Sequence, residues 1–502
     1  MQIKLIILLI LIVSVNLNGQ KWNIINKNEI TDKGIKDIIP DKFTLYALDD
    51  EVMKSLLWSA PSESGTEVNR SNTFINIGLP DEVQEIFRIV RYDMMEPELA
   101  AKFPDIRTFY GIAVSNPLKS VRIDYTIQGF RAVVNSPEDG KIFIDHYQRN
   151  DKNTRIVYYK NDYTNAPSWG CGVTDEHINL ERPTSGGTRI GDCQLRSYRL
   201  AQATTGEYST FHGGTTTSVM SAVVNVINRI NQVYEAEVAV RLILVANTDQ
   251  IFYLNAGTDP YANTSGDLNA NQTTCTNVIG SANYDIGHLF GTGGGGVAQL
   301  GSVCSSSGKA RGLTGSGNPV GDPFTIDYVA HEMGHQFAGN HTFAGWIGSC
   351  SGNRNSNASM EPGSGTTIMS YAGICDDGSI NQNVQNNSDA YFHAKSLDEI
   401  KTFISGTGNS CAQIISSFVN SAPIVTSQTN YSIPVSTPFV LSLSATDPNS
   451  NPLTYAWDQM NAVGTTNFTT PPASSNSGGP MSRSIAAATS PSRYFPPLAN
   501  VI

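Results

Sequence analysis

The feature that most constrains this chain is the run of residues 331–341, which reads His-Glu-Met-Gly-His-Gln-Phe-Ala-Gly-Asn-His. His331 and His335 are four positions apart, so in a helix both side chains project from the same face. Zinc binds neutral imidazoles in a tetrahedral arrangement, and this spacing supplies two of them. Glu332 stands beside them and can accept a proton from a zinc-bound water and pass it to a leaving amine. The run therefore predicts a metal-binding helix with its own general base.

A third ligand follows if the chain turns sharply after Phe337. Gly339 and Asn340 tolerate the left-handed backbone that such a turn needs. His341 then completes three protein ligands and leaves the fourth zinc position to water, which is typical of a catalytic rather than a structural site. The alternative interpretation, three histidines scattered on a core helix, does not account for the third histidine in register.

At these residues the sequence resembles the metzincin metallopeptidases, whose pattern is H-E-x-x-H-x-x-G-x-x-H followed by a Met-turn. The chain departs from it at Ala338, where the family has glycine. The segment 366–373 resembles the Met-turn, and the resemblance makes Met369 an apolar floor beneath the zinc site. It also implies that Tyr371 approaches the metal or stabilises the oxyanion. The alternatives are an ordinary buried methionine and a packing tyrosine.

Three further segments resemble the reprolysin (adamalysin) branch, specifically its secreted bacterial members. Residues 284–298 resemble the part that precedes the active helix, and residues 104–111 resemble a motif of reprolysin propeptides. Cys171-Gly172-Val173, after Pro167, resembles a cysteine switch. The resemblance implies one catalytic Zn²⁺ held by His331, His335 and His341, with Glu332 as general base and acid.

The switch has a chemical reason, because a thiolate is a strong zinc ligand and Cys171 could occupy the fourth position. Cutting the linker at 182–197 would then release the block. The chain has seven cysteines, so one is left over if the rest pair in an oxidising compartment. We expect Cys171 to be that one and expect three disulfides, including Cys350–Cys375 and Cys275–Cys304. The alternative is that Cys193 is left over and Cys171 is paired.

The N-terminus predicts export. Lys4 precedes an aliphatic run from Leu5 to Val15, and small and polar residues follow as far as Gln20. This is the pattern of a secretory signal peptide, with cleavage expected after Gly19. An uncleaved anchor is the alternative. No later apolar run is long enough to span a bilayer, so we expect a secreted, extracellular protein that could associate with a cell surface.

The pattern of strand-like, helix-like and turn-rich segments divides the rest of the chain into three predicted domains. Residues 20–192 are predicted as a β-rich propeptide, with the switch near 167–173. Residues 193–415 are predicted as an α+β metzincin catalytic domain with a mixed twisted sheet and long helices, including 218–235, 325–337 and 388–403. Residues 420–502 are predicted as an Ig- or cadherin-like β-sandwich, expected to be incomplete at its end.

Charge and composition limit the partners. The formal net charge is −11, and the chain has no basic run, which argues against a nucleic-acid binder or a polybasic membrane contact. We expect protein or peptide substrates and a monomer. A bound Ca²⁺ ion is compatible with the sequence, but no calcium-binding motif supports one. The glycine run 291–296 formally fits a nucleotide loop, but it lacks the strand and helix setting that such a loop needs.

Together these features predict a secreted zinc endopeptidase made as a latent zymogen. The alternative is a catalytically weak or inactive adhesion or matrix-binding protein that uses the C-terminal β-module. Inactive relatives usually lose the glutamate or a metal ligand, whereas this chain has Glu332 and all three histidines.

Overall fold

The computed structural model describes residues 21–30, 34–149, 151–163, 171, 191–415, 420–426, 428–464, 472 and 478–497. The predicted signal peptide at 1–19 lies outside these residues. So does the predicted switch segment except for Cys171, and so does the Pro, Gly and Thr-rich part of the linker at 182–189. We refer below to residues 21–163 as the N-terminal unit, 191–415 as the central unit and 420–497 as the C-terminal unit.

The N-terminal unit is a nine-stranded sheet of antiparallel neighbours, in the order β1-β2-β9-β8-β7-β6-β5-β4-β3. Its strands and two helices are β1 (Asn23–Ile24), β2 (Thr44–Ala47), α1 (Asp50–Trp58), β3 (Phe74–Gly78), β4 (Gln84–Tyr92), α2 (Pro97–Lys102), β5 (Arg107–Ala113), β6 (Ser120–Thr126), β7 (Gly129–Ser136), β8 (Gly140–His146) and β9 (Thr154–Tyr159). One face of the sheet packs its apolar side chains on α1, in a core that includes Phe87, Ile123 and Ile144. The expectation of a β-rich unit here agrees with these elements.

The central unit combines a mixed sheet with helices. Its elements are β10 (Arg196–Thr204), α3 (Gly206–Phe211), α4 (Thr216–Val238), β11 (Val240–Leu244), α5 (Leu268–Thr274), β12 (Ile286–Gly291), β13 (Gly296–Ala298), β14 (Gly312–Gly315), α6 (His331–Gln336), α7 (Ala394–Ser405) and β15 (Gln413–Ile414). The sheet order is β11-β10-β12-β14-β13, and β15 pairs with β10. Strands β11, β10, β12 and β14 are parallel neighbours, whereas β13 runs antiparallel along the edge.

Helix α4 lies at the centre of the molecule. Thr215 caps it in a reciprocal capping box with Ser218, and Ala239 ends it in the left-handed conformation. Most residues of α4 are buried on every side of the helix, polar ones included. A helix buried all round is a core element, so α4 needs cover on both flanks. The central sheet covers one flank and the N-terminal sheet covers the other.

The predicted helices are present with shifted ends. The helix expected over 218–235 is α4, and the one expected over 388–403 begins at Ala394. The helix expected over 325–337 is a π-type segment, Pro323–Ala330, which continues directly into α6. Mixed helix and sheet content therefore agrees with the predicted α+β class.

The C-terminal unit forms two small antiparallel sheets among its described residues. Strand β16 (Ile424–Val425) pairs with β18 (Ala445–Thr446), and β17 (Phe439–Ser442) pairs with β19 (Ser492–Phe495). The expected β-sandwich stays a prediction. None of the helices in the described part of the chain combines the length and apolar character that a bilayer crossing requires.

Candidate active site

The metal-binding helix of the sequence prediction is α6, and it lies deep in the central unit. His331, Glu332 and His335 are each no more than 1% exposed. Gly334 faces Met369, and a Cβ there would lie 2.4 Å from Met369 Sδ. Only glycine therefore lets the helix approach the Met-turn this closely.

The turn after α6 differs in one residue from the expectation. We expected Gly339 and Asn340 to take the left-handed backbone, but Ala338 takes it, with φ at +71°. The chain therefore turns at the position where the family pattern has glycine, with alanine in its place. A non-glycine residue in this region costs about 1–2 kcal/mol, and bonds from Ala338 N to His335 O and from Gly339 N to Gly334 O hold the turn.

The turn brings His341 to the other two histidines. His335 Nε2 lies 3.1 Å from His331 Nε2 and 3.0 Å from His341 Nε2. Each ring faces a backbone carbonyl with its other nitrogen. The three contacts are His331 Nδ1 to Ile368 O at 2.7 Å, His335 Nδ1 to Gly339 O at 2.7 Å and His341 Nδ1 to Asn353 O at 2.6 Å.

These contacts fit a metal ion. A carbonyl only accepts, so each Nδ1 must donate, and each Nε2 keeps its lone pair. Burial lowers the pKa of His331 to about 4 and the pKa of His335 and His341 well below the ordinary value, so the rings are neutral. Three lone pairs that meet without a proton repel one another unless a cation lies among them. Imidazoles on a tetrahedral zinc would have nitrogens about 3.3 Å apart, close to the spacing here.

Glu332 lies beside this group, and its carboxylate is in an unusual environment. Neither oxygen receives a hydrogen bond from an N–H or O–H group of the described residues. Burial raises the pKa of Glu332 to about 8. The carboxylate lies against Gly296 of β13, where a Cβ would be 2.1 Å from Glu332 Oε1. A hydrogen bond from the Cys171 thiol acts against this rise in the pKa of Glu332, so the carboxylate would be available to a water or a substrate group once that thiol is removed.

Met369 and Tyr371 also lie next to the three histidines. Met369 is fully buried, and its carbonyl accepts from Thr342 N, next to His341. The ring of Tyr371 stacks on Phe343, and the two centroids are 4.4 Å apart. It also meets the His341 ring edge to face, with the centroids 4.7 Å apart. Both residues are thus at the site, and Tyr371 directs its hydroxyl to the carbonyl of Cys171 at 3.2 Å.

Cys171 completes the cluster although it is far away in sequence. Its Sγ lies 3.7 Å from His335 Nε2. Cys171 Sγ and one nitrogen of each of the three histidines all lie within 4.8 Å of one another and are buried. The backbone of Cys171 forms a parallel β-bridge with Gly296 on the edge strand β13. This group of three imidazoles and one thiol could hold a metal ion.

The cysteine pairing differs in part from the expectation. Cys350 is bonded to Cys375, as expected, but Cys304 is bonded to Cys411 rather than to Cys275. The expected Cys275–Cys304 bond is therefore wrong. Cys275 is buried behind β12, where burial raises the pKa of its thiol to about 12. All seven cysteines lie in the described residues, and they form two disulfides instead of three, with Cys171, Cys193 and Cys275 outside them.

Sequence reasoning missed two carboxylates that hold the ligand loops. Glu361, in the loop before the Met-turn, is the first of them. It is fully buried and accepts from Thr342 Oγ1 at 2.6 Å and from Thr366 N at 2.8 Å, which ties the His341 loop to the Met-turn. Glu399 of α7 accepts from Asn340 N at 2.9 Å and so fixes the turn before His341. No motif marks either residue, because their partners are backbone and hydroxyl groups distant in sequence.

A buried polar group also holds α6 against the sheet. His288 of β12 contacts Gln336 Oε1 at 2.8 Å and Thr314 Oγ1 at 2.9 Å through its two ring nitrogens. Burial lowers the pKa of His288 to about 4, so it stays neutral. His288 therefore has a structural role in the core.

Comparison with known families agrees with this geometry. Residues 195–402 match the model of the metallo-peptidase family M12B, reprolysin-like. The match confirms the predicted resemblance for this segment and supports a zinc metallopeptidase. No curated protein matches the chain.

Proposed function

We propose that this chain, whose residues 195–402 match the reprolysin-like metallopeptidases, is a secreted zinc endopeptidase made as a latent zymogen. The observation that carries the proposal is the convergence of three neutral imidazole Nε2 atoms beside the buried Glu332 carboxylate. His331, His335 and His341 would hold the zinc. When bound, zinc polarises the scissile carbonyl and lowers the pKa of a coordinated water to about 7.

Glu332 then moves the proton. Its carboxylate accepts a proton from the attacking water and returns it to the leaving amine nitrogen. Its position against Gly296 puts it on the side of the cleft where a substrate would lie. Met369 keeps the floor of the site apolar.

The substrate is a peptide in extended form along β13. This strand is at the edge of the sheet, so one side of its backbone is available for pairing. The bridge from Cys171 to Gly296 supports this placement, because an extended segment already lies there. Tyr371 donates to the Cys171 carbonyl, and the same hydroxyl would donate to a substrate carbonyl as negative charge develops on its oxygen.

Latency follows from Cys171. Its thiol faces the three imidazoles from the side that a water or substrate would use, and its backbone fills part of the edge strand. The chain between Cys171 and residue 191 contains Arg189, where a protease of basic specificity could cut, whereas Arg182 is followed by Pro183, which blocks such a cut. The two disulfides are compatible with an extracellular protein. So is the finding that no helix in the described residues is long and apolar enough to cross a membrane.

The test is proteolysis of a denatured protein by the purified chain after limited trypsin nicking. Glu332→Ala should lower kcat by about two to four orders of magnitude, because the proton transfer loses its base. Zinc content, measured by metal analysis, should not change, since no ligand is lost. A chelator should abolish cleavage by the native chain, and added zinc should restore it. Full activity of Glu332→Ala would refute the assignment, and no cleavage by a nicked, zinc-loaded chain would favour the adhesion-protein alternative.

A further inference from the structure

The N-terminal sheet buries its charged face against the central unit. In β6 the side chains alternate: Val121 and Ile123 join the core around α1, whereas Arg122 and Asp124 point the other way. Arg122 is 4% exposed, Asp124 2%, and Asp145 of β8 3%. A charged sheet face in a separate, removable domain would normally be in water. Here it is an interface.

Helix α4 supplies the complementary groups. Arg229 Nη2 lies 2.5 Å from Asp145 Oδ1, and Glu235 pairs with Arg122. Asn225 Nδ2 donates to Asp124 Oδ1 at 3.0 Å. Arg229 itself is 3% exposed. Arg122 of the N-terminal unit therefore pairs with an acidic group of the central unit, and Arg229 of the central unit pairs with an acidic group of the N-terminal unit. Both pairs are shielded from solvent.

Backbone groups of the sheet are also engaged. Asn228 Nδ2 donates to Ile123 O at 3.1 Å, and Gln232 Nε2 donates to Val133 O at 3.2 Å. These contacts fix α4 against two strands in one register. The paired charges make such an interface specific for its partner, although among the described residues Asp124 Oδ2 and Asn228 Oδ1 have no hydrogen-bond partner.

The two units also share one apolar core and one sheet edge. Tyr92, Met94 and Leu99 belong to the same buried cluster as the apolar residues of α4 and α6. Leu244 N donates to Met94 O at 2.9 Å, and Glu96 N donates to Leu244 O at 2.9 Å, so the N-terminal unit continues the central sheet beyond β11. Obligate interfaces have this character, like a domain core cut in half, whereas transient ones are more polar.

An ion pair holds the exit of the N-terminal unit. Lys160, a few residues before the segment that leads to Cys171, lies 2.9 Å from Asp322 Oδ2 and donates to Ser388 O. Both partners belong to the central unit. A cut between residues 172 and 190 therefore leaves every one of these contacts intact and frees only the chain around Cys171.

We propose that the N-terminal unit stays bound to the central unit after this cut, so that the active enzyme is a two-chain complex. The proposal rests on the proposed function in assuming that activation is a cut after Cys171. Its surface is the charged face of β6–β8, and its partner is α4 of the same chain. After the cut, the segment around Cys171 stays attached to the N-terminal unit, and its release from the metal site, rather than departure of the whole unit, would open that site.

The test uses the full chain carrying Glu332→Ala, which prevents self-digestion, with a site-specific protease sequence in place of residues 182–189. After complete cutting, the two fragments should elute as one species in size-exclusion chromatography at about micromolar concentration and at high salt, because buried pairs are screened little. They should separate only in denaturant. Elution as two folded species under native conditions would overturn the proposal.

A variant connects this result to the interface. Arg229→Ala leaves Asp145 buried with a weaker partner, and the dissociation constant of the cut complex should rise about 10²-fold or more. Arg70→Ala removes an exposed pair with Glu67 inside the N-terminal unit and should leave the complex unchanged. If Arg229→Ala prevents folding of the uncut chain, elution of the cut parent protein still decides the question.

This readout needs no catalysis, so it separates the two proposals. Co-elution without any chelator-sensitive proteolysis in the native-Glu332 chain would keep the complex and refute the enzyme. Proteolytic activity that elutes with the 190–502 fragment alone would keep the enzyme and refute the complex.

Discussion

At the scale of single residues, the metal site is arranged by backbone carbonyls. Each ligand ring donates to a different loop, through Ile368, Gly339 and Asn353. These bonds fix the tautomer and the ring orientation together, so the Nε2 atoms point inward without help from a metal ion. The sequence predicts which histidines would hold a metal ion, but not which carbonyls orient their rings.

Cys171 gives the residue-scale prediction. Cys171→Ala removes the thiol that faces the three histidines, so the uncut chain should cleave a peptide substrate. The loss of about 1.4 kcal/mol of blocking interaction already corresponds to a tenfold gain in activity. The measurement is the initial rate of the uncut variant relative to the uncut parent, with mass spectrometry to exclude cutting.

Cys193→Ala is the matched control, because Cys193 is also outside disulfides but does not belong to the metal-site cluster. It should remain latent. Equal latency of both variants would show that the thiol of Cys171 is not what blocks the site.

At the scale of elements, the site depends on the close approach of strand β13 to helix α6. Gly296 and Glu332 are in contact, and a side chain at residue 296 would occupy the place of the carboxylate. The same residue pairs with Cys171, so this point of the edge strand contacts both Glu332 and Cys171. The glycine run that formally resembled a nucleotide loop leads into this strand.

Gly296→Ala is the prediction at this scale. The added Cβ must displace Glu332, and a shift of about 1 Å can lower the rate about 10²-fold. Zinc content should be unchanged, because the three histidines are not touched. The measurement is kcat/KM of the cut enzyme together with metal analysis.

Gly308→Ala is a suitable control, since a Cβ there would meet the side chain of Gln299 at 2.8 Å, away from Glu332. Its activity should be close to that of the parent. If Gly296→Ala retains full kcat/KM, the contact between β13 and Glu332 has no catalytic consequence.

At the scale of the whole molecule, the interface between the N-terminal and central units contains titratable groups. His146 and His212 line a cavity of about 260 Å³ between the two units, with Arg131 and Arg149. Burial lowers the pKa of His212 to about 3 and the pKa of His146 well below the ordinary value, and Arg131 acts in the same direction. Both rings are therefore neutral in the complex.

Association of the two cut fragments should weaken in acid. In separated units both histidines would return towards a pKa of about 6.5 and bind protons that the complex does not. The stabilisation is therefore present above about pH 6.5 and is lost as the pH falls, by up to about tenfold per pH unit for each histidine. Size-exclusion or titration measurements between pH 5 and 7.5 would follow it.

The buried carboxylates Asp124 and Glu63, whose pKa burial raises, act in the opposite direction, because they bind protons more readily in the complex than in separated units. The double variant His146→Gln, His212→Gln should lose the weakening in acid that the parent complex shows, while other buried groups such as Glu237, whose pKa burial raises to about 7, still titrate. A parent complex that is equally tight at pH 5 and 7.5 would contradict the prediction.

The sequence by itself determined the local chemistry. Four-residue spacing puts His331 and His335 on one helix face, and that relation depends only on helix geometry. Helical spacing of apolar residues also predicted α4 to within three residues at each end, whereas the helix expected from residue 388 begins at Ala394. The Cys350–Cys375 bond, between cysteines close in sequence, was also predicted correctly.

The tertiary structure alone decided the long-range pairings. Cys304 bonds Cys411 rather than Cys275, because pairing depends on which loops meet and not on spacing along the chain. Ala338 takes a backbone conformation that its residue type disfavours, since contacts around the turn outweigh local preference. The alternating pattern of β6 predicts one polar face, but no periodicity can distinguish a face in water from one buried against complementary charges on α4. That distinction is set by the docking of two distant parts of the chain.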